Sequence, residues 1–136
     1  MDKKIQSIMD LFENEMHDMD LKEAISNAVE RLKEADCENA AIPYILKTIE
    51  KYPHLDWGTP GGFAHYMEEY INDDYFDLLL ESYNRKPTVN TAFLLFRVSN
   101  NFDDKTVIIE AFEKSLKMIN TNQLFEDVKE YIEWLK

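Results

Sequence analysis

One cysteine, three glycines and four prolines in 136 residues leave several fold classes without their raw material. The lone Cys37 has no intramolecular disulfide partner and cannot found a cysteine-rich zinc site, which points to a reducing, cytoplasmic setting. So little glycine and proline argues against a turn-rich β-sandwich and against collagen-like chains. No apolar run approaches the roughly 18 residues of a membrane-crossing helix. Met1-Asp2-Lys3-Lys4 leads into an amphipathic stretch and lacks the apolar core and small-residue cleavage site of a secretory leader.

Positive charge is also scarce, and unevenly so. The net charge is −12. Residues 1–51 hold 7 basic and 12 acidic side chains, and residues 85–136 hold 8 of each. Residues 52–84 contain no Lys or Arg and 7 acidic residues. Such a chain is a poor direct binder of nucleic acid, whose phosphates call for Lys and Arg, and a poor match for an anionic membrane surface. It suits a basic protein partner. The same middle segment carries 8 of the 17 aromatics, so charge and interface-prone rings coincide there.

What is present is helical periodicity. A length of 136 residues with 45% apolar and 31% charged side chains fits one globular domain, 1–136, with a real core. Ile5, Ile8, Met9, Phe12 and Met16 form one stripe. Asp20 and Glu23 have capping-box spacing ahead of a second helix bearing Leu21, Ala24, Ile25, Ala28, Val29 and Leu32. A third helix starts near Glu38, with Pro43 confined to its first turn. Residues 52–62 are the one long break. A fourth helix follows over Phe63–Ile71, a fifth ends near Tyr83, and Thr88 caps a sixth over Val89–Ser99 that is apolar nearly all round and so central. A seventh spans Lys105–Ile119 and an eighth closes the chain. Strand alternation is absent. The expectation is an all-α fold of about eight helices in antiparallel hairpins, either a compact bundle or a short HEAT-like stack.

The candidate binding residues come from helix faces. At about 100° per residue, His65, Glu68 and Glu69 share one side of the fourth helix, and Asp74, Asp77 and Glu81 share one side of the fifth. Like charges at the i+3 and i+4 spacings of Asp74, Asp77 and Glu81 cost a few tenths of a kcal/mol per pair, and no basic neighbour on that helix relieves them. A docking face for a basic partner accounts for that cost; a solvated acidic surface is the plainer reading. Asp56, Trp57 and Asp73 complete the set, with Trp57, in the long loop, expected to be partly exposed and to act as an apolar anchor. Phe63, Tyr70, Tyr75 and Phe76 are read as core.

Catalytic and metal chemistry find less support. His65-x-x-Glu68 sets two ligand types on one face, but the chain has only His17, His54 and His65 and neither a zincin motif nor the paired motifs of di-iron bundles. Pairing of His65 with Glu69, or a cap on the preceding turn, is the simpler reading. Asp36 and Glu38 flank Cys37 and would raise its thiol pKa. There is no Gly-x-Ser-x-Gly elbow, and Gly58, Gly61 and Gly62 match neither a P-loop nor a dinucleotide fingerprint. The chain is read as no enzyme and as needing no cofactor.

Two segments carry a resemblance. One is Trp57-Gly58-Thr59-Pro60-Gly61-Gly62-Phe63-Ala64-His65-Tyr66-Met67-Glu68; the other runs from Leu80 through Arg85-Lys86-Pro87-Thr88 to Phe93-Leu94-Leu95-Phe96-Arg97-Val98-Ser99-Asn100. Over roughly residues 53–101 the chain resembles small helical bacterial immunity proteins of polymorphic or contact-dependent toxin systems. That resemblance implies a binding inhibitor of a cognate toxin domain and brings no catalytic residues with it. A nuclease toxin would be basic, and an acidic helical face could occupy its cleft. A helical adaptor without a toxin partner is the alternative, and a homodimer fits the aromatic surface as well. The Gly-Thr-Pro-Gly-Gly and Arg-Lys-Pro-Thr motifs are also good turn and helix-start chemistry, so they are read as marks of the fold, with binding placed on the acidic faces.

Overall fold

The computed structural model describes residues 2–119 and 122–136, among which no strand occurs. Among the described residues eight α-helices occur: α1 (Asp2–Met16), α2 (Leu21–Glu34), α3 (Ile42–Lys51), α4 (Gly62–Glu68), α5 (Tyr75–Arg85), α6 (Val89–Val98), α7 (Thr106–Ser115) and α8 (Asn122–Leu135). Short 3-10 turns, Glu38–Ala41 and Ser99–Asn101, lead into α3 and out of α6. Among the described residues no helix is long and apolar enough to cross a membrane. The chain divides into two compact units, residues 1–75 and 76–136.

In the first unit, α1 buries Ile5, Met9 and Phe12, and α2 buries Ala24, Ile25, Ala28 and Leu32. These i, i+3, i+4 and i+7 spacings bring each apolar stripe onto the other helix. Asp20 accepts the Glu23 N–H at 3.4 Å, supplying one arm of the expected capping box. Arg31 grips Glu15 with both guanidinium nitrogens, at 2.6 and 3.0 Å, and these bonds hold the Glu15 carboxyl below the usual carboxylate range. Glu13 on α1 receives Lys51 Nζ at 3.0 Å and Tyr52 Oη at 3.3 Å, which ties down the end of α3. Pro43 sits in the first turn of α3, where its missing N–H costs nothing.

Helix α4 is shorter than the periodicity predicts. It ends at Glu68, and the chain continues through tight turns in which Tyr70, Ile71 and Asp73 donate to the carbonyls of Met67, Glu68 and Tyr70. Tyr66 is buried, and its hydroxyl donates to the Glu38 carbonyl at 2.7 Å. Asp36 and Glu38 flank Cys37 with φ of 52° and 50°, an unfavourable backbone region for side-chain-bearing residues. Burial pushes the Cys37 thiol up, ahead of the acidic neighbour Asp36. Of the four rings read as core, Phe63 and Tyr75 are buried, whereas Tyr70 and Phe76 are half-buried.

In the second unit, Thr88 caps α6 as expected, and the partner in its capping box is Thr91. No residue from Thr88 to Ser99 is exposed, which fits a helix without a polar face. Helix α6 packs on α7 and α8. Phe96 stacks on Tyr131 with centroids 4.4 Å apart, and Tyr83 meets Phe112 edge-on at 5.5 Å. Ser115 Oγ donates to the Phe112 carbonyl at 2.7 Å, so Tyr83 Oη donates to Ser115 at 2.6 Å. Lys105 Nζ closes the loop after α6 by donating to the Ser99 and Phe102 carbonyls at 2.8 and 2.6 Å. Helix α7 ends at Ser115 rather than Ile119, and a turn over Leu116–Met118 follows.

Burial pushes the hydroxyls of Tyr83 and Tyr131 up to about 12. An unfolded tyrosine ionises near 10, so between about pH 10 and 12 the folded chain binds more protons than the unfolded chain. Stability is therefore insensitive to these groups below about pH 10 and falls as pH rises beyond it. For the fully buried Tyr83 the slope approaches roughly 1.4 kcal/mol per pH unit, and the half-buried Tyr131 adds less. Urea unfolding at pH 9, 10.5 and 11.5 checks this: wild type should weaken steadily, and Tyr83→Phe should show a shallower decline.

Candidate functional site

The long break between α3 and α4 is built around a ring cluster. Trp57 lies between Phe12 of α1 and Phe63 of α4, with centroids 5.9 and 6.0 Å away, and Phe12 and Phe63 meet edge-on at 5.2 Å. Its indole N–H donates to the Tyr52 carbonyl at 3.1 Å. Trp57 is therefore 4% exposed. The expectation of a partly exposed anchor is corrected: a loop tryptophan that fills a gap between two helices and has its one donor satisfied is core. The exposed tryptophan is Trp134 on α8, at 74%, which the apolar periodicity of the last helix did not single out.

With Trp57 fixed inward, the following residues turn outward over α2. Asp56 is exposed, and its carboxylate accepts the Gly58 N–H at 3.0 Å, an Asx turn that starts the reversal. Gly58 and Gly61 have φ of 104° and 89°. A Cβ at Gly61 would strike the Trp57 carbonyl, and a Cβ at Gly62 would lie 2.9 Å from Ile25 Cγ2. The glycines are thus dictated by backbone shape and by the close approach of α4 to α2. The Thr59-Pro60 peptide is cis.

Between this loop and α2 lies an open cleft of about 620 Å³. Lys22, Ile25, Ser26 and Val29 form one wall, at the i, i+3, i+4 and i+7 spacing of a single helix face. Residues 56–62 form the other, and His65 of α4 completes the lining. The cleft thus gathers Asp56, Trp57 and His65 from the predicted set. It also recruits four α2 residues that the sequence did not flag; Ile25 and Val29 belong to the same stripe that builds the core, so nothing in the periodicity separates the two uses.

The acidic residues divide between the units. Glu69, Asp73 and Asp74 are exposed on the first, Asp77 and Glu81 are exposed on the second, and Glu68 is half-buried. Asp74 accepts Asn39 Nδ2 at 3.1 Å, a neutral donor that leaves its charge in place. His65 Nδ1 lies 3.7 Å from Glu68 Oε1, so its partner is the i+3 carboxylate and not Glu69. Among the described residues no three His, Cys, Asp or Glu side chains converge to hold a metal ion. No family model, curated protein or solved structure matches the chain.

Gly61→Ala should lower stability by roughly 2 kcal/mol, since it combines positive-φ strain with a backbone collision. Gly62→Ala should cost less, because the atom it meets belongs to the movable Ile25 side chain. Chemical denaturation of both variants gives the ordering.

Proposed function

We propose that the chain is a binding inhibitor of the immunity-protein kind, which neutralises a basic toxin domain by engaging it with acidic side chains of its loop, its 69–74 turns and α5. The observation that carries this reading is the solvent exposure of Asp56, Glu69, Asp73, Asp74, Asp77 and Glu81, drawn from a 33-residue segment that contains no Lys or Arg. Self-repulsion of that kind weakens the free fold and gains its use when a cationic surface arrives. Complementary charge speeds encounter and rejects wrong partners, and a desolvated pair at the centre of such an interface costs about 2–5 kcal/mol when truncated. The residue roles follow: the carboxylates pair with Lys and Arg of the toxin, and His65 stands beside the Asp56 cleft. Inhibition is steric and electrostatic occlusion and needs no cofactor. The resemblance over roughly residues 53–101 gives the partner its class.

A tagged pull-down from the native cell lysate, with mass spectrometry, tests it. One altered bait carries Glu69→Lys, Asp73→Lys and Asp74→Lys; a second carries Asp77→Lys and Glu81→Lys. The expected result is one basic protein captured by wild type, lost or reduced at least about tenfold by the first bait, and toxic to cells unless this chain is co-expressed. Equal capture by all three baits, or a captured protein whose toxicity the chain does not relieve, contradicts the reading.

A further inference from the structure

Helix α8 carries a patch that the face of residues 56–74 leaves without a role. Asp127, Glu130, Tyr131 and Trp134 stand at the i, i+3, i+4 and i+7 positions of one helix side. We infer that this patch of the second unit is a separate docking site, and that it takes an arginine-bearing segment of a partner protein. The guanidinium stacks on the Trp134 indole and pairs with the carboxylates of Asp127 and Glu130. Its occupant is a chain other than the one the 56–74 face engages, so the site stands or falls independently of the inhibitor reading.

The first observation is the ring. Trp134 is 74% exposed, more than any other large apolar side chain among the described residues. Of the aromatic side chains, indole holds a cation best. Tyr131 beside it is fixed by its stack on Phe96 and by Phe112 at 5.7 Å, so the patch has a firm floor. The second observation is charge. Asp127 and Glu130 have no ion-pair partner among the described residues. The helix positions three and four away from them hold Gln123, Leu124, Glu126, Glu133 and the two rings, with no Lys or Arg. Asp127 accepts Gln123 Nε2 at 2.8 Å, a neutral donor that orients the carboxylate and leaves its charge in place. After burial, these two carboxylates are what hold the Tyr131 hydroxyl up. The third observation is where the lysines of α8 go. Lys136 donates to Glu113 of α7 at 3.1 Å, and Lys129 Nζ lies 5.5 Å from the Phe125 ring centroid. At about 100° per residue both sit roughly 140–160° round the helix from Trp134. The helix thus leaves its own patch anionic, and what complements it is a cation from outside. Arginine does so better than lysine, because its planar guanidinium stacks on a ring and still donates in its own plane to a carboxylate. A second copy docking by the same face would set like charges against each other.

The probes are acetyl-Arg-Ala-Ala-Arg-amide, its lysine counterpart and its citrulline counterpart, which keeps the shape of arginine without the charge. Each is titrated into the isotope-labelled full chain while the two indole N–H resonances are followed by NMR. Trp57, buried and bonded to the Tyr52 carbonyl, is the internal reference. The arginine peptide should shift the Trp134 resonance saturably and leave that of Trp57 in place. Its affinity should exceed that of the citrulline peptide at least about fivefold and that of the lysine peptide at least about twofold. Glu130→Gln at an exposed position and Asp127→Asn, which keeps an acceptor for Gln123, should together remove the preference over citrulline. If the pair unfolds the chain, Glu130→Gln decides alone. Glu69→Gln with Asp73→Asn takes the same two charges from the first unit and should change the affinity less than about twofold. No saturable shift of Trp134, or equal affinity for arginine and either counterpart, overturns the inference. So does an equal loss in the two double variants, which makes overall charge and not this patch the attractant. A Trp134 resonance that moves with the concentration of the chain itself assigns the face to a second copy and overturns the inference as well.

Discussion

The contact of Trp57 with Phe12 and Phe63 anchors the long loop of the first unit. Aromatic pairs in tilted and edge-on arrangements add about 0.5–1.5 kcal/mol each beyond the area they bury. The cluster joins α1 to the long loop and the start of α4, which lie far along the chain from it. Once the indole is fixed inward, Asp56 on one side and Gly58 on the other must face out. The reversal at Gly58–Gly61 then delivers Gly62 against Ile25, and α4 is launched along α2. The cleft is the space left over by that geometry. Its loop wall is anchored on the core beneath it through Trp57.

Charge is then distributed on a scaffold that does not depend on it. The well-formed ion pairs of the first unit, Arg31 with Glu15 and Lys51 with Glu13, join helices outside residues 52–84. Within that segment Asp56 and Asp74 take neutral donors, the Gly58 amide and Asn39 Nδ2, while Glu68 lies 3.7 Å from His65. Such bonds orient a carboxylate without cancelling its charge. A fold whose apolar stripes supply its stability can carry an acidic surface at small cost.

The helices were legible because their apolar residues recur at helical spacing and their starts carry recognisable caps. Thr88 and Asp20 both cap as read, and Pro43 falls in a first turn. Helix ends were less legible: α4 and α7 stop short because tight turns, which leave no periodic signature, take over their last residues. Glu69, Asp74, Asp77 and Glu81 are exposed as their residue type suggests, but Glu68 is half-buried, and Glu69 and Asp74 lie outside the helices on whose faces they were read. The fate of Trp57 was not legible, since a loop ring is buried or exposed according to which distant residues reach it, here Phe12 from 45 positions upstream. The cleft was invisible for a related reason. Lys22, Ile25, Ser26 and Val29 read as an ordinary helix face until the loop is laid across it, and the Gly-Gly pair that permits the crossing reads equally as turn chemistry.

The central claim is that the acidic face and cleft of residues 56–74 form the surface by which this chain engages a basic partner. Hydrogen–deuterium exchange of the chain, free and in complex with its captured partner, addresses it most directly. The account predicts slowed exchange across the 52–62 loop and the 69–74 turns, with α8 unchanged. Protection confined to α8 around the exposed Trp134, with residues 52–74 unaffected, would contradict it.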